Sequence, residues 1–135
     1  MKLNLICIFL VIFSLSSKVI AEDDVITMND VYSKLEENLD LTEEQSEKFK
    51  PIYFDHREEV QNLLKKNGID LYTGSFEKRI GIRQLRSIKR GMDKLYRANN
   101  AQLVGILNKE QIKEYKKTQE KQRIEIRDRL MNNRR

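Results

Sequence analysis

Side chains able to do covalent or proton chemistry are sparse in this chain. It holds one histidine, His56, and one cysteine, Cys7. Nucleophilic catalysis needs a nucleophile, a base and a group that orients the base, all within reach of one another. One imidazole and scattered serines assemble no such set, and no glycine-rich phosphate loop of the Walker type is present. Carboxylates are plentiful, but a pair on a solvated helix has no reason to shift its pKa. A metal centre draws on several His, Cys or carboxylate ligands. His56 instead shares a helical stripe with Phe49, Ile52 and Val60, where a packed imidazole is the plainer reading. The chain is therefore not expected to be an enzyme, with no catalytic residue, no metal ligand and no cofactor. What it offers is cations: Arg79, Arg83, Arg86, Arg90, Lys94 and Arg97 recur at steps of three and four residues, flanked by Ile80, Ile82 and Tyr96. Such a rail can attract anionic segments over long range while the apolar neighbours make short contacts. Ordinary solvation of a helix face is the competing account. The scarcity of interspersed acids and the adjacent apolar groups favour binding.

The elements that must carry this rail are helical. The chain has 135 residues, 35% charged and 39% hydrophobic but only 7% aromatic, with one proline and five glycines. Breakers of long helices are nearly absent, so an all-α fold of one domain is expected and a β-sandwich is not. The 26 Lys+Arg against 21 Asp+Glu give a net charge of +5. The charge is segregated: ten acids against Lys34 alone between Glu22 and Glu47, and eight bases against Glu77 and Asp93 between Phe76 and Arg97. Residues 1–21 read as a signal peptide, with Lys2, an apolar run from Leu3 to Leu15, and cleavage near Ala21. That run is too short to cross a bilayer, for which roughly 20 residues are needed. Export to the periplasm with signal removal leaves no cysteine in the mature chain, and residues 22–28 are expected to be a disordered acidic start. A small domain without disulfides must draw its stability from helix packing, which favours pairing with a second copy.

Four helices are expected between residues 29 and 131. The first runs from about Asn29 to Leu39, with Val31, Leu35 and Leu39 four apart. Thr42 and Gln45 form a capping box that opens the second, which runs to about Lys66 with Phe49, Ile52, His56, Val60 and Leu63 or Leu64 on one stripe. Pro51 should bend it without breaking it. Asn67-Gly68 stops it, with Gly68 at positive φ. After a loop over 67–75, Ser75 is expected to cap a third helix from Phe76 to about Leu107, roughly 48 Å long. Its Leu85, Ile88, Met92, Leu95, Asn99, Leu103 and Ile106 follow a coiled-coil seam with Asn99 as a polar register position. At about 100° per residue the basic rail lies opposite that seam. Asn108 and Gln111 repeat the capping box and open a fourth helix, whose Ile112, Tyr115, Ile126 and Leu130 are interrupted by Gln119 and Gln122. The tail 132–135 is expected to fray.

Leu41-Thr42-Glu43-Glu44-Gln45 recurs as Leu107-Asn108-Lys109-Glu110-Gln111, each copy at a handover between helices. The pair resembles the L-T-x-x-Q motifs of the Spy/CpxP family of periplasmic proteins, over about residues 28 to 131. The second copy departs by Asn108 for Thr, an equally good cap. The resemblance implies bent helical hairpins paired as an antiparallel, cradle-shaped homodimer, and ATP-independent chaperone activity on unfolded envelope proteins during envelope stress. It gives Leu41, Thr42, Gln45, Leu107, Asn108 and Gln111 a structural role, setting helix entry angles and packing the hairpin ends. The expected partners are unfolded or partly folded proteins, held at the rail by Arg79, Ile80, Ile82, Arg83, Arg86, Arg90, Lys94 and Arg97. The alternative is a regulator, like the other branch of that family, docking on the periplasmic sensor domain of a stress-response kinase. A third possibility is a structural coiled-coil protein without clients. Nucleic acid is disfavoured because no stacking aromatics line the rail. Stable membrane insertion after signal removal is not expected, since the apolar seam should be occupied by packing.

Overall fold

Three of the four helices among the described residues open on the same reciprocal cap. In a computed structural model that describes residues 27–134, helix α1 spans Met28–Asn38, α2 Glu43–Lys65, α3 Ile82–Gln102 and α4 Lys109–Asn132. Thr27 caps α1 with Asp30 returning to its backbone, Thr42 and Gln45 do so for α2, and Asn108 and Gln111 for α4. Each box satisfies two backbone donors that a helix start would otherwise leave open. Among the described residues the architecture is all-α with four helices, as the composition requires. Thr27 and Met28 belong to the start of α1, not to a disordered segment. Residues 1–21, expected to be a signal peptide and including Cys7, and the acidic residues 22–26 lie outside the described residues.

Helix α2 continues unbroken through Pro51, although proline has no N–H to give the carbonyl four residues back. It ends as expected, with Gly68 at φ 74°. The following loop departs from expectation. It contains a small antiparallel hairpin, β1 Ile69–Asp70 with β2 Ser75–Phe76, in the register Ile69↔Phe76 and Asp70↔Ser75. The Asp70 carboxylate accepts the backbone N–H of Tyr72 at 2.9 Å and of Thr73 at 3.3 Å, the local bonding that lets Asp form turns. Ser75 therefore lies in a strand and does not cap α3. That helix begins at Ile82 after Gly81, which makes no side-chain cap. Its 21 residues give a rod of about 32 Å, well short of the 48 Å expected. Strand pairing holds Phe76, and burial of Ile80 pins the approach to Gly81, so 77–81 is not helical. At the other end the chain turns at Leu103–Leu107, with Gly105 at φ 88°.

Helix α3 is antiparallel to both α2 and α4. Against α2, Gln84 Nε2 donates to the Asn67 carbonyl at 2.8 Å, Gly91 meets Leu63, and Asn99 reaches the Ile52 carbonyl at 3.5 Å. Against α4, Asn99 contacts Tyr115 and Gln119, Asp93 contacts Arg123, and Ile80 contacts Asn133. Helices α2 and α4 are consequently parallel, with their capped ends side by side. Their buried faces match at the spacing of 66 residues that separates Gln45 from Gln111. Phe49, Tyr53, His56, Val60 and Leu64 in α2 stand where Tyr115, Gln119, Gln122, Ile126 and Leu130 stand in α4.

Two apolar clusters result. One surrounds the hairpin and includes Leu64, Ile69, Ile80, Ile88, Met92 and Tyr96. The other lies at the capped ends and includes Leu35, Phe49, Tyr53, Leu103, Leu107 and Tyr115. The second is rich in aromatic rings, with Phe49 and Tyr115 edge to face at 5.1 Å, a contact worth about 0.5–1.5 kcal/mol beyond its buried area. Between the clusters runs a polar layer. Asn99 Oδ1 accepts from Tyr115 Oη at 3.2 Å and from Gln119 Nε2 at 2.9 Å. The seam of α3 thus faces α2 and α4 of the same chain, and Asn99 sets register within the subunit.

Candidate functional site

The two pentapeptide motifs meet. Gln45 and Gln111 donate to one another's side-chain oxygens, Nε2 of Gln45 to Oε1 of Gln111 at 2.9 Å and the reverse at 3.1 Å. Each also reaches the end of the helix preceding the other motif. Gln45 Nε2 donates to the Ile106 carbonyl at 3.0 Å, and Gln111 Nε2 to the Leu39 carbonyl at 3.1 Å and the Asp40 carbonyl at 3.4 Å. The same Oε1 atoms close the capping boxes, accepting the backbone N–H of Thr42 at 3.1 Å and of Asn108 at 2.9 Å. Leu107 is buried and Leu41 packs on the same cluster. These six residues therefore tie four chain segments together at one end of the bundle. Their chemistry is structural: the side chains of Thr42, Gln45, Asn108 and Gln111 hold backbone groups, and the two glutamines hold each other.

The cationic rail is where the sequence placed it along most of α3. Arg83, Arg86, Arg90, Lys94 and Arg97 are all exposed, on the side of α3 turned away from α2 and α4. None of them forms an ion pair with a described residue, whereas neighbouring Lys89 pairs with Asp93 at 3.4 Å. Their field is thus uncancelled at short range, and at low ionic strength it extends about 10 Å or more.

Three residues assigned to this surface belong elsewhere. Arg79 precedes α3 and its guanidinium donates to the Arg134 carbonyl. Ile80 is 3% exposed and fills the hairpin-end cluster, while its N–H donates to Asn133 Oδ1 at 3.1 Å. Tyr96 is 5% exposed, and burial pushes its hydroxyl up to about 12. Ile80 and Tyr96 cannot meet a client without unfolding their own core. Ile82 alone of the apolar flank is open, at 53%. The bonds from Arg79 and Ile80 also anchor Asn133 and Arg134, so this part of the tail is tied down rather than frayed.

Apolar surface missed by the sequence reading lies between α3 and α4. A groove of about 300 Å³ opens there, floored by Ile88, Met92, Ile126 and Leu130. At its mouth Ile124 is 40% exposed and Met131 43% exposed. Ile124 and Met131 fall outside the α4 stripe that Ile126 and Leu130 follow, which was the only signal available to find them. The seam pattern of α3 accounts for the floor.

His56 lies in the polar layer, buried and edge-on to Tyr96 at 4.8 Å. Its Nδ1 has no hydrogen-bond partner among the described residues. Burial, with the Arg57 cation adding to it, lowers its pKa to about 4, so the ring is neutral near pH 7. Among the described residues no group of three His, Cys, Asp or Glu is placed to hold a metal ion, and no helix is long and apolar enough to cross a membrane. Compared with known proteins, the chain matches no family model, no curated protein and no solved structure.

Proposed function

We propose that the chain is an exported, ATP-independent chaperone of the Spy/CpxP kind, working in the periplasm on unfolded or partly folded proteins, as a homodimer joined outside the occupied α3 seam. The observation that supports this reading is the run of five exposed cations, Arg83, Arg86, Arg90, Lys94 and Arg97, without ion-pair partners among the described residues. A surface of that kind raises the encounter rate with acidic, unfolded segments and leaves their affinity low. Release then needs no nucleotide: a client that folds buries its own apolar surface and withdraws it from the chaperone.

The test is aggregation of a chemically unfolded acidic protein, followed by light scattering with the purified protein and no ATP. Stoichiometric protection at low salt, weakening as salt rises, is expected. Reversal of Arg83, Arg86 and Arg90 to Glu should slow capture at least tenfold at low salt and much less near 1 M, where screening acts within about 3 Å. Unaffected aggregation would end the chaperone reading. Tight one-to-one binding to a single sensor domain, with no protection of unrelated clients, would replace it with the regulator. A monomer at micromolar concentration would remove the dimer.

A further inference from the structure

The stop that ends α2, Asn67-Gly68, is the one Asn-Gly pair in the chain, and such a pair is chemically unstable in a loose chain. Glycine has no side chain to shield its nitrogen or restrict its dihedrals, so that nitrogen can close on the neighbouring carboxamide. The Gly68 nitrogen attacks Asn67 Cγ; the N–Cγ bond forms, the Cγ–Nδ2 bond breaks, and the proton of the attacking nitrogen leaves with Nδ2 as ammonia. Water then opens the cyclic imide at either carbonyl, leaving aspartate or isoaspartate at position 67. We infer that Asn67 is a spontaneous deamidation site held shut by the docked hairpin, and that its conversion makes an opening of the α2–hairpin junction permanent. This chemistry is independent of the chaperone reading.

The groups that must move are tied down. The Gly68 N–H, the nucleophile, donates to the Lys65 carbonyl at 2.9 Å. Asn67 Nδ2, the leaving group, donates to the Leu63 carbonyl at 2.8 Å, one turn back along α2. The carbonyls of the pair are held from across the junction: Asn67 accepts from Gln84 Nε2 at 2.8 Å, and Gly68 accepts from the Glu77 N–H at 2.9 Å. Ile69, the next residue, is buried and pairs with Phe76. To close the imide ring the Gly68 nitrogen must turn onto Asn67 Cγ. That motion breaks the first two bonds and twists the peptide that carries the other two. The reaction therefore waits for a local opening that frees the end of α2 from the hairpin and from the start of α3. Its rate in the folded protein is the free-chain rate multiplied by the fraction of time the junction is open.

Conversion works against reclosure. Aspartate at position 67 loses the Nδ2 donor and sets a carboxylate oxygen against the Leu63 carbonyl, acceptor against acceptor. It also adds negative charge at the carboxyl end of α2. Isoaspartate inserts a methylene into the main chain between residues 67 and 68, so the clamps from Gln84 and Glu77 no longer fit the spacing of their carbonyls.

Peptide mass mapping of the full chain, held at neutral pH in buffer or in denaturing guanidinium chloride, tests this. The fragment 67–78, released by cleavage after Lys66 and Lys78, should convert at least tenfold faster in denaturant than in buffer. Gln84→Ala, which removes one clamp at a half-buried position, should raise the rate in buffer severalfold and leave the rate in denaturant unchanged. Asn67→Asp, which makes the product directly, should melt at a lower temperature than the wild type. Equal rates in buffer and denaturant would show that the fold holds nothing shut. Absence of conversion in denaturant would show that the pair is unreactive. A rate in buffer indifferent to Gln84→Ala, or an Asn67→Asp variant as stable as the wild type, would show that conversion and the junction are not linked. Any of these results overturns the inference.

Discussion

Acid should weaken the fold through His56. The ring sits in the polar layer against Tyr96, 5% exposed, and its Nδ1 meets no partner among the described residues. Burial disfavours the imidazolium, and the Arg57 cation adds to that, bringing the pKa from 6.5 to about 4. In the unfolded chain the ring takes up a proton as pH falls through 6.5, while in the folded chain it stays neutral until about 4. The stability carried by this neutral ring is therefore complete above pH 6.5, declines between 6.5 and about 4, and is level below that. At about 1.36 kcal/mol per pH unit the loss is roughly 3 kcal/mol. His56→Gln is the control, because a buried Gln122 already occupies the matching position of α4. Urea unfolding of both proteins at pH 7.5 and pH 4 cancels the carboxylates, which the two share. The wild type should lose roughly 3 kcal/mol relative to the variant on acidification. A difference between the two that is constant within about 0.5 kcal/mol would show that water or charge reaches the ring, and the reasoning from burial would fail.

Other expectations concern stability. Gln45→Ala and Gln111→Ala should each cost about 1–3 kcal/mol by leaving buried carbonyls and the partner amide unmet, with a coupling of at least 0.5 kcal/mol in a double-mutant cycle; additive losses would show that the two amides act separately. Asn99→Leu, which would strengthen an ordinary coiled-coil seam, should here destabilise by about 1–3 kcal/mol because Tyr115 and Gln119 lose their acceptor; a raised melting temperature would contradict the polar layer. Gly68→Ala should cost about 1 kcal/mol or more, since φ is 74° and a Cβ would stand 2.9 Å from the Glu77 carboxylate; an unchanged urea midpoint would argue that the turn relaxes freely.

What could be read from the chain beforehand was whatever depends on near neighbours. The capping boxes at Thr42 and Asn108 need only residues three apart, and the stop at Gly68 needs only its own φ, so both were legible. The rail was legible for the same reason: a run at steps of three and four must share one side of any helix. The limits of α3 were not. Nothing local forbids helix at Glu77 to Ile80; the segment is not helical because Phe76 pairs with Ile69 and Ile80 is drawn into a core shared by α2, β1, α3 and α4. Ile80 accordingly passed for a surface residue beside Arg79. The hairpin was hidden because two-residue strands carry no alternation to detect.

Nor does a heptad-like pattern say who covers it. The seam of α3 reads as an invitation to a second copy, yet α2 and α4 offer two parallel faces with the same buried spacing, and the seam faces both, with a groove left open on the α4 side. The cost of that arrangement falls on the positions where the copies diverge. Tyr53 and His56 in α2 stand opposite Gln119 and Gln122 in α4, so the middle of the bundle carries polar groups on each strut. Asn99 is the residue of α3 that answers Gln119, accepting from it and from Tyr115, while Tyr53 Oη and His56 Nδ1 meet no partner among the described residues. A polar residue at a seam position usually selects a partner helix in another chain; here the same physical device, an acceptor that only one alignment can satisfy, fixes α3 against α4 of its own chain. It follows that the outer side of α3 has no packing partner among the described residues, and its arginines stay exposed.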